Sequence, residues 1–298
     1  MKGVITIFAM PQEIEDLALT LYNLKVNSIF IIDQGINYKV DVTMCLSNEL
    51  TDWENSTLTK EYIKDRTEEL CKKYLDWCEY ELVIENGNQI LGCVSQRRNS
   101  WIKNPDAEFF IWLDTDILFK DITLFYMNET LKRLKSDNLD MFVITPEFVK
   151  QWDNTWDIIV NKNYWNMPVD YYKNNNVFAD CLTQFEDVTV KKIETFKFAG
   201  GWFTLISKQL LDKITVPESF GHYGLEDTFI MVCSSIMVNK GIEVNQFIIE
   251  NLICGENHKN RTNESIKKYI TSKDRKEEFR KIAESNWDKE ISLFNNKI

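Results

Sequence analysis

The segment FFIWLDTDILF, residues 109 to 119, ends a run of five apolar residues on two aspartates, Asp114 and Asp116. Such an unbroken apolar run is typical of a central strand that is covered on both faces. A strand that stops on Asp-x-Asp carries both acids to the carboxyl edge of a sheet, where open α/β folds bind ligands. Two neighbouring carboxylates repel each other unless they share a cation, so the pair predicts a Mg²⁺ or Mn²⁺ site. The alternative is a strand end capped by solvated acids.

Patterns of strands and helices alternate over the first 120 residues. Apolar runs predict strands at residues 4–9, 40–46, 80–85 and 109–114, with amphipathic helices between them. This order predicts an α/β fold with a mixed, mainly parallel central sheet and helices on both faces. The alternation weakens beyond residue 120. There we expect aromatic-rich loops over residues 151–180, an apolar helix over residues 226–239 and a solvated helix in the C-terminal tail.

Composition excludes several classes of function. The net charge of −11 leaves no basic surplus with which to neutralise the phosphates of a nucleic acid. Seven scattered cysteines without a Cys-x-x-Cys spacing are typical of reduced thiols in a cytoplasmic protein. No run approaches the length of about 18 apolar residues that a membrane span needs. We therefore expect a cytoplasmic chain that is soluble or at most peripheral to a membrane.

Two further segments carry acids or imidazole that could act with the Asp-x-Asp pair. In GHYGLED, residues 221 to 227, a flexible turn leads into Glu226 and Asp227 at a helix start. One of these acids could serve as a general base, or both could merely offset the helix dipole. His258 lies in the polar loop GENHKNR and could complete a metal site, which would favour Mn²⁺ over Mg²⁺. A solvated loop histidine is the alternative.

Two other segments suggest contacts with a ligand. QRRNS, residues 96 to 100, offers Arg97 or Arg98 to a pyrophosphate or a ribose, unless both lie on a solvated helix face. KFAGGWFTLIS, residues 197 to 207, places Gly200 and Gly201 between apolar residues. A glycine pair of this kind indicates a close backbone approach at the sheet edge or a plain turn.

Taken together, these residues resemble the glycosyltransferases of the GT-A fold over most of the chain. In that family the first strand ends near a proline, the second ends on a base-contacting acid, an Ala-Arg-Asn helix follows, and the next strand carries Asp-x-Asp. The corresponding pieces here are Pro11, the SNE of residues 47 to 49, Arg98 with Asn99, and Asp114 with Asp116. Ser47 and Asn48 stand where the family often has aspartate, so the resemblance assigns the contact with the nucleotide base to Asn48 or Glu49.

The second half is most similar to the metal-dependent inverting β-1,4-galactosyltransferases and their relatives. Their pattern runs from Phe-Gly-Gly through Ser-Lys-Gln and an aromatic, Gly-rich turn into Glu-Asp, and then to a late histidine. This chain has FAGGWFTLISKQLL, with Ala199 inserted before the glycines, then GHYGLED, then His258. Tyr223 stands where the group has a sugar-stacking tryptophan, and Leu225 replaces the second glycine of the turn.

The resemblance implies a role for each of these residues. Asp114, Asp116 and His258 would be metal ligands, although the first aspartate often meets the ribose or a metal-bound water. Asp227 would be the catalytic base and Glu226 a contact of the acceptor hydroxyl. The remaining donor contacts would be Pro11, Asn48, Glu49, Arg98, Asn99, Asp114, Gly200, Gly201, Trp202 and Tyr223.

The implied protein is a single GT-A catalytic domain over residues 1–298. Residues 1–120 would bind the nucleotide-sugar, residues 121–261 would bind the acceptor and carry catalysis, and residues 262–298 would form a helical tail. The implied reaction moves a sugar from a UDP-sugar to a hydroxyl of a glycan or another acceptor, with Mn²⁺ or Mg²⁺ and with inversion. Three alternatives stay open: a retaining GT-A enzyme, a sugar nucleotidyltransferase and a non-catalytic carbohydrate-binding protein. An Asp-x-Asp phosphohydrolase fits poorly, since its acids would follow the first strand.

Overall fold

The computed structural model describes most of the chain. The described residues are 1–48, 51, 53–54, 56–85, 92–149, 187–194, 201–256 and 273–298. Three predicted site residues, Glu49, Gly200 and His258, lie outside these ranges, and so does the aromatic-rich segment at residues 151–180.

The first 120 residues alternate strands and helices as the sequence predicts, and the described part of the chain beyond them adds four strands and four helices. In chain order the elements are β1 (Lys2–Ala9), α1 (Ile14–Ile29), β2 (Asn37–Cys45), α2 (Lys60–Tyr74), β3 (Glu79–Glu85), α3 (Cys93–Lys103), β4 (Phe109–Asp114), β5 (Ile117–Phe119), α4 (Thr123–Ser136), β6 (Phe142–Val149), β7 (Thr189–Ile193), β8 (Phe203–Ser207), α5 (Lys208–Lys213), α6 (Glu226–Asn239), β9 (Asn245–Glu256) and α7 (Lys273–Lys297).

The described strands form one nine-stranded mixed sheet. Its order is β3-β2-β1-β4-β8-β6-β9-β5, and β7 pairs with β9. The first four strands are mutually parallel, because β1 pairs in parallel with both β2 and β4, and β2 pairs in parallel with β3. The chain thus moves outward from β1 in both directions, and the carboxyl ends of β1 and β4 flank a topological switch point.

The sheet is covered on both faces, which confirms the predicted fold class. Alternate residues of the central strands enter two different cores, because successive side chains of a strand point to opposite faces. Ile111 and Leu113 of β4 pack in one core with Leu17 and Leu21 of α1. On the other face, the second core combines a different set of residues from β4 with residues from four helices, α3, α5, α6 and α7. Its members include Phe110, Trp112, Val94, Phe229 and Phe294.

The second half departs from parallel pairing. β8 runs antiparallel to both β4 and β6, and β5 runs antiparallel to β9. In the β5–β9 pair, Ile117 faces Glu256, so β9 ends beside the residue that follows Asp116. Through this pairing the end of β9 lies next to the strand that directly follows the Asp-x-Asp turn.

Two smaller predictions concern the helices. The helix expected over residues 226–239 is observed with those bounds, and the tail is helical from Lys273. In the part of the chain that the structure describes, no helix is both long enough and apolar enough to cross a membrane.

Candidate active site

Asp114 is the last residue of β4 and lies at the carboxyl edge of the sheet. It pairs with Phe8 of β1, and its backbone N–H donates to the carbonyl oxygen of Trp202 at 2.9 Å. Asp116 follows in the turn between β4 and β5 and is 7 % exposed, whereas the Asp114 side chain keeps 39 % of its surface exposed. The two acids therefore lie at the same edge, one within the turn and one facing outward.

The turn that carries these acids is braced through the threonine between them. The Thr115 hydroxyl donates to Glu13 Oε2 at 3.1 Å, and the same oxygen accepts the backbone N–H of Met10 at 2.9 Å. The Thr115 carbonyl oxygen accepts the hydroxyl of Thr20 at 2.5 Å. Because Glu13 holds both the end of β1 and the Asp-x-Asp turn, it fixes the two segments relative to each other.

A buried arginine joins the Asp-x-Asp strand to the acids of α6. Arg97 Nη2 donates to Asp114 Oδ1 at 2.8 Å, and Nη1 forms an ion pair with Glu226. Its guanidinium also lies 4.9 Å from the ring centre of Trp112. The Arg97 side chain is only 6 % exposed. Burial of this charge is tolerable because two carboxylates and an aromatic face surround it.

Gly201 brings the backbone of the segment before β8 against the same arginine. Its carbonyl oxygen accepts Arg97 Nη2 at 3.0 Å. A Cβ atom at this position would lie 2.4 Å from Arg97 Nη1, so a larger residue would displace the guanidinium. The close approach expected of the glycine pair is therefore met at Gly201, and the group that it approaches is Arg97.

Asp227 is held by main-chain donors rather than by a cation. Its Oδ2 accepts the N–H of Gly201 at 3.0 Å, and its Oδ1 accepts the N–H of Thr228 at 2.6 Å. The helix begins after an unusual turn in which Gly224 and Leu225 have φ values of 92° and 68°. Left-handed φ values of this kind favour glycine, so Leu225 marks a position where the turn is fixed against local preference.

The charges of this cluster perturb each other. Loss of hydration raises the pKa of the Asp114 carboxyl to about 7; Arg97 opposes this shift, and repulsion from Asp116 adds to it. Burial likewise raises the pKa of Glu226, again against the effect of Arg97. Burial opposes the charge of Arg97, but its acidic neighbours together raise the Arg97 pKa above its usual value, so the guanidinium stays charged. A further cation at this edge would relieve the repulsion among the acids.

Cys93 also reaches the cluster, at the first residue of α3. Its thiol donates a hydrogen bond to the Glu226 carboxylate. Burial and the negative charge of Glu226 raise the pKa of the thiol well above its usual value, so the group remains a neutral donor. Glu226 is therefore held on one side by Arg97 and on the other by Cys93.

The other predicted donor contacts lie in different surroundings. Pro11 is buried in a short helical turn directly after β1. Asn48 is exposed, and its Oδ1 accepts Lys60 Nζ at 2.6 Å. Arg98 points elsewhere, since its Nη1 donates to the carbonyl oxygen of Pro217 at 3.5 Å. Asn99 lines a small cavity between α3 and the strands β2 and β3.

Tyr223 lies in the turn that precedes α6. It packs, half-buried, with Phe8 against a small cluster formed by Met10, Cys45 and Phe279. The structure thus places the predicted sugar-contacting aromatic at the ends of β1 and β2, close to the start of α7.

Two carboxylates at the sheet edge fit a hard divalent cation, and their mutual repulsion is the observation that favours one. Within the described ranges, no group of three histidine, cysteine, aspartate or glutamate side chains is arranged to hold a metal ion. The third ligand that the sequence suggests, His258, follows two residues after β9 ends at Glu256, and lies outside those ranges.

Sequence reasoning singled out the Arg97 and Arg98 pair but did not identify the role of Arg97. No local signal separates the two. Val94 and Trp101 mark an apolar face of α3, and Arg97 at i+3 and Arg98 at i+4 both border that face. Glu13 and Cys93 were not among the predicted site residues.

Comparison with known proteins shows remote similarity of structure. No family model and no curated protein matches the chain. GalNAc-T7 with UDP, GalNAc and Mn²⁺ matches with a TM-score of 0.46 and 10% identity, over 86% of this chain and 43% of that one. This chain therefore spans less than half of the length of GalNAc-T7.

Two other solved structures match over nearly their whole length. HddC from Yersinia pseudotuberculosis gives a TM-score of 0.42 at 11% identity, over 89% of this chain and 98% of that one. UDP-glucose pyrophosphorylase complexed with UDP-glucose gives 0.42 at 9% identity, over 84% and 91%. At such values, the chemistry of this chain has to be argued from its own residues.

Proposed function

We propose that this chain is a metal-dependent glycosyltransferase that moves a sugar from a UDP-sugar to a hydroxyl of a glycan or another acceptor, with inversion. One observation carries the proposal. Arg97 draws the end of the Asp-x-Asp strand and the Glu-Asp start of α6 into one cluster, although Arg97 and Glu226 are 129 residues apart in sequence. A donor diphosphate bound at the first pair would therefore lie beside the second.

The chain supplies the groups that such a transfer needs. Asp114, Asp116 and His258 would hold Mn²⁺, and the bound cation would neutralise the diphosphate as it leaves. Asp227 takes the proton of the acceptor hydroxyl as that oxygen attacks C1 of the sugar. The bond from C1 to the diphosphate oxygen breaks, and the diphosphate departs with its electron pair. Attack from the face opposite the leaving group inverts the anomeric carbon.

Arg97 has a positioning role in this scheme. Its two acidic partners belong to the two acidic pairs, since Asp114 is the first aspartate of Asp-x-Asp and Glu226 directly precedes Asp227. Glu226 would contact the acceptor, and Tyr223 would lie against a sugar ring. The nucleotide base of the donor would lie near Pro11, Asn48 and Glu49, beyond the ends of β1 and β2.

Nucleotidyl transfer is the main competing function, and the turn after β1 argues against it. A nucleotidyltransferase needs backbone N–H groups and basic side chains there to cradle a triphosphate. In this chain the N–H of Met10 is already taken by the carboxylate of Glu13 at 2.9 Å, and residues 9–12 carry no Arg or Lys. A carboxylate at this position would repel a triphosphate.

The deciding experiment is a thermal-shift screen of UDP-galactose, UDP-glucose and UDP-N-acetylhexosamines, each with and without Mn²⁺. We expect stabilisation by one donor that depends on the metal, because a ligand that binds only the folded chain raises its melting temperature. Asp116→Asn and His258→Ala should both weaken this response. Asp121→Asn is the matched control, since Asp121 is an exposed acid five residues from Asp116.

The outcome also separates the alternatives. Product from UTP and a sugar 1-phosphate, without transfer from any UDP-sugar, would establish nucleotidyl transfer instead. Binding of UDP-sugars without turnover in acceptor mixtures would indicate a non-catalytic protein. If transfer occurs, the anomeric configuration of the product, measured by NMR, distinguishes inversion from retention.

A further inference from the structure

A small apolar cluster covers the carboxyl ends of the first two strands. Its buried members are Met10, directly after β1, Cys45, the last residue of β2, and Phe279 from the first turns of α7. It is separate from the two large cores that lie on the faces of the sheet. We call these three residues the edge cluster.

The edge cluster occupies the place where a nucleotide base is expected. Ligands of open α/β sheets bind beyond the carboxyl ends of the strands, next to the switch point. Pro11 follows Met10, and Asn48 lies three residues after Cys45, so the proposed contacts of the nucleotide base are close in sequence to two members of the cluster. Phe279 comes from a different part of the chain and packs with Met10 and Cys45.

The Phe279 ring is not available as a surface on which a base could stack. The residue is only 7 % exposed, and its ring forms a T-shaped pair with the ring of His222, with centroids 5.8 Å apart. A stacking platform must present an accessible face to its ligand. A buried ring at this place competes with a planar ligand instead of receiving it.

The rest of α7 is anchored independently of Phe279. Ala283 is fully buried in the second core, and the Trp287 ring stacks on Phe220 with centroids 5.9 Å apart. Asn286 also donates to the carbonyl oxygen of Ser219 at 3.1 Å. The first turns of the helix could therefore open by themselves, as helix ends do at low cost, while the remainder stays docked.

We propose that Phe279 takes the place of the nucleobase in the ligand-free protein and leaves the edge cluster when a nucleoside diphosphate binds. This inference rests on the proposed function, because it requires a nucleotide donor at this edge. Its consequence is a loss of apparent affinity, since only molecules with the ring displaced can bind.

The affinity of UDP in the presence of Mn²⁺, measured by calorimetry, tests the proposal. Phe279→Ala should bind UDP about tenfold more tightly than the unmodified protein, because the competing side chain is gone. Phe294→Ala is the matched control, since Phe294 lies on the same helix and is also 7 % exposed, but packs in the second core. It should leave the affinity unchanged. Equal or weaker binding by Phe279→Ala would overturn the proposal.

Hydrogen exchange on the unmodified protein gives a second test that needs no variant. Amides of residues 277–282 should exchange faster when UDP and Mn²⁺ are added, while those of residues 284–297 stay protected. Slower or unchanged exchange at residues 277–282, with UDP bound, would show that the ring is part of the pocket and refute its displacement. Absence of UDP binding by both the unmodified protein and Phe279→Ala would refute the proposed function itself.

Discussion

The candidate site contains two acidic pairs that are alike in sequence but differ in the groups that stabilise their charges. Asp114 and Asp116 end a strand, whereas Glu226 and Asp227 begin a helix. A helix start favours acids through its dipole and its unpaired N–H groups. A strand end offers neither, so the first pair depends on charges supplied by other elements.

Arg97 divides each pair in the same way. It binds Asp114 from the first pair and Glu226 from the second. Asp227 is instead oriented by the backbone of Gly201 and Thr228. One acid of each pair thus carries an ion pair to Arg97. The proposed catalytic base, Asp227, is instead oriented by main-chain donors, so neighbouring carboxylates at one site are held by different kinds of partner.

The largest expected effect comes from the proposed base. Asp227→Asn should lower the rate of transfer by about 10³- to 10⁴-fold, because the side chain can no longer accept the acceptor proton. The affinity for UDP and Mn²⁺ should change little, since Asn keeps an oxygen for one of its two N–H donors. Steady-state kinetics and calorimetry measure the two quantities separately. A variant that retains its turnover would remove Asp227 from the base role.

The next effect concerns the arginine that joins the two pairs. Arg97→Met should lower the free energy of unfolding by about 3 kcal/mol, because it leaves the buried Glu226 carboxylate and the partly exposed Asp114 carboxylate without their counter-charge. Arg98→Met removes the same charge from the next residue, whose 3.5 Å contact is to a carbonyl oxygen, and should cost well under about 1 kcal/mol. Urea denaturation of both variants makes the comparison. Similar losses would show that the Arg97 ion pairs are not stabilising.

The local half of the site could be predicted from the sequence, and the long-range half could not. The apolar run before Asp114 and the acids before the apolar residues of α6 are periodic signals, so the strand end and the helix start were predictable. The choice of Arg97 over Arg98 depends on how α3 is rotated against β4. That rotation is set by packing among elements far apart in sequence, which a single sequence does not contain.

The sheet shows the same limit. The parallel strands β1 to β4 follow from alternation with helices, because a crossover helix requires parallel neighbours. The antiparallel insertion of β8 beside β4 has no such local signal. Its five residues are all buried, and a short buried run does not reveal its partner.

The smallest expected effect is the contribution of Asp114 to the pH dependence of the free energy of unfolding. In the folded protein its pKa is raised to about 7 from the ordinary 3.8, so the fold binds an extra proton between these values. The folded state therefore loses stability relative to the unfolded chain as pH rises from about 4 to 7. Asp114→Asn cannot release that proton, so its stability should fall less over this range.

Urea denaturation at pH 5 and pH 8, with a chelator present, measures this difference. We expect the stability of Asp114→Asn relative to the unmodified protein to be higher at pH 8 than at pH 5. The gain should stay below about 1 kcal/mol, because a side chain that is 39 % exposed is partly screened by water. Since Arg97 stabilises the charged form, a change in the opposite direction would mean that the ion pair outweighs the lost hydration of Asp114.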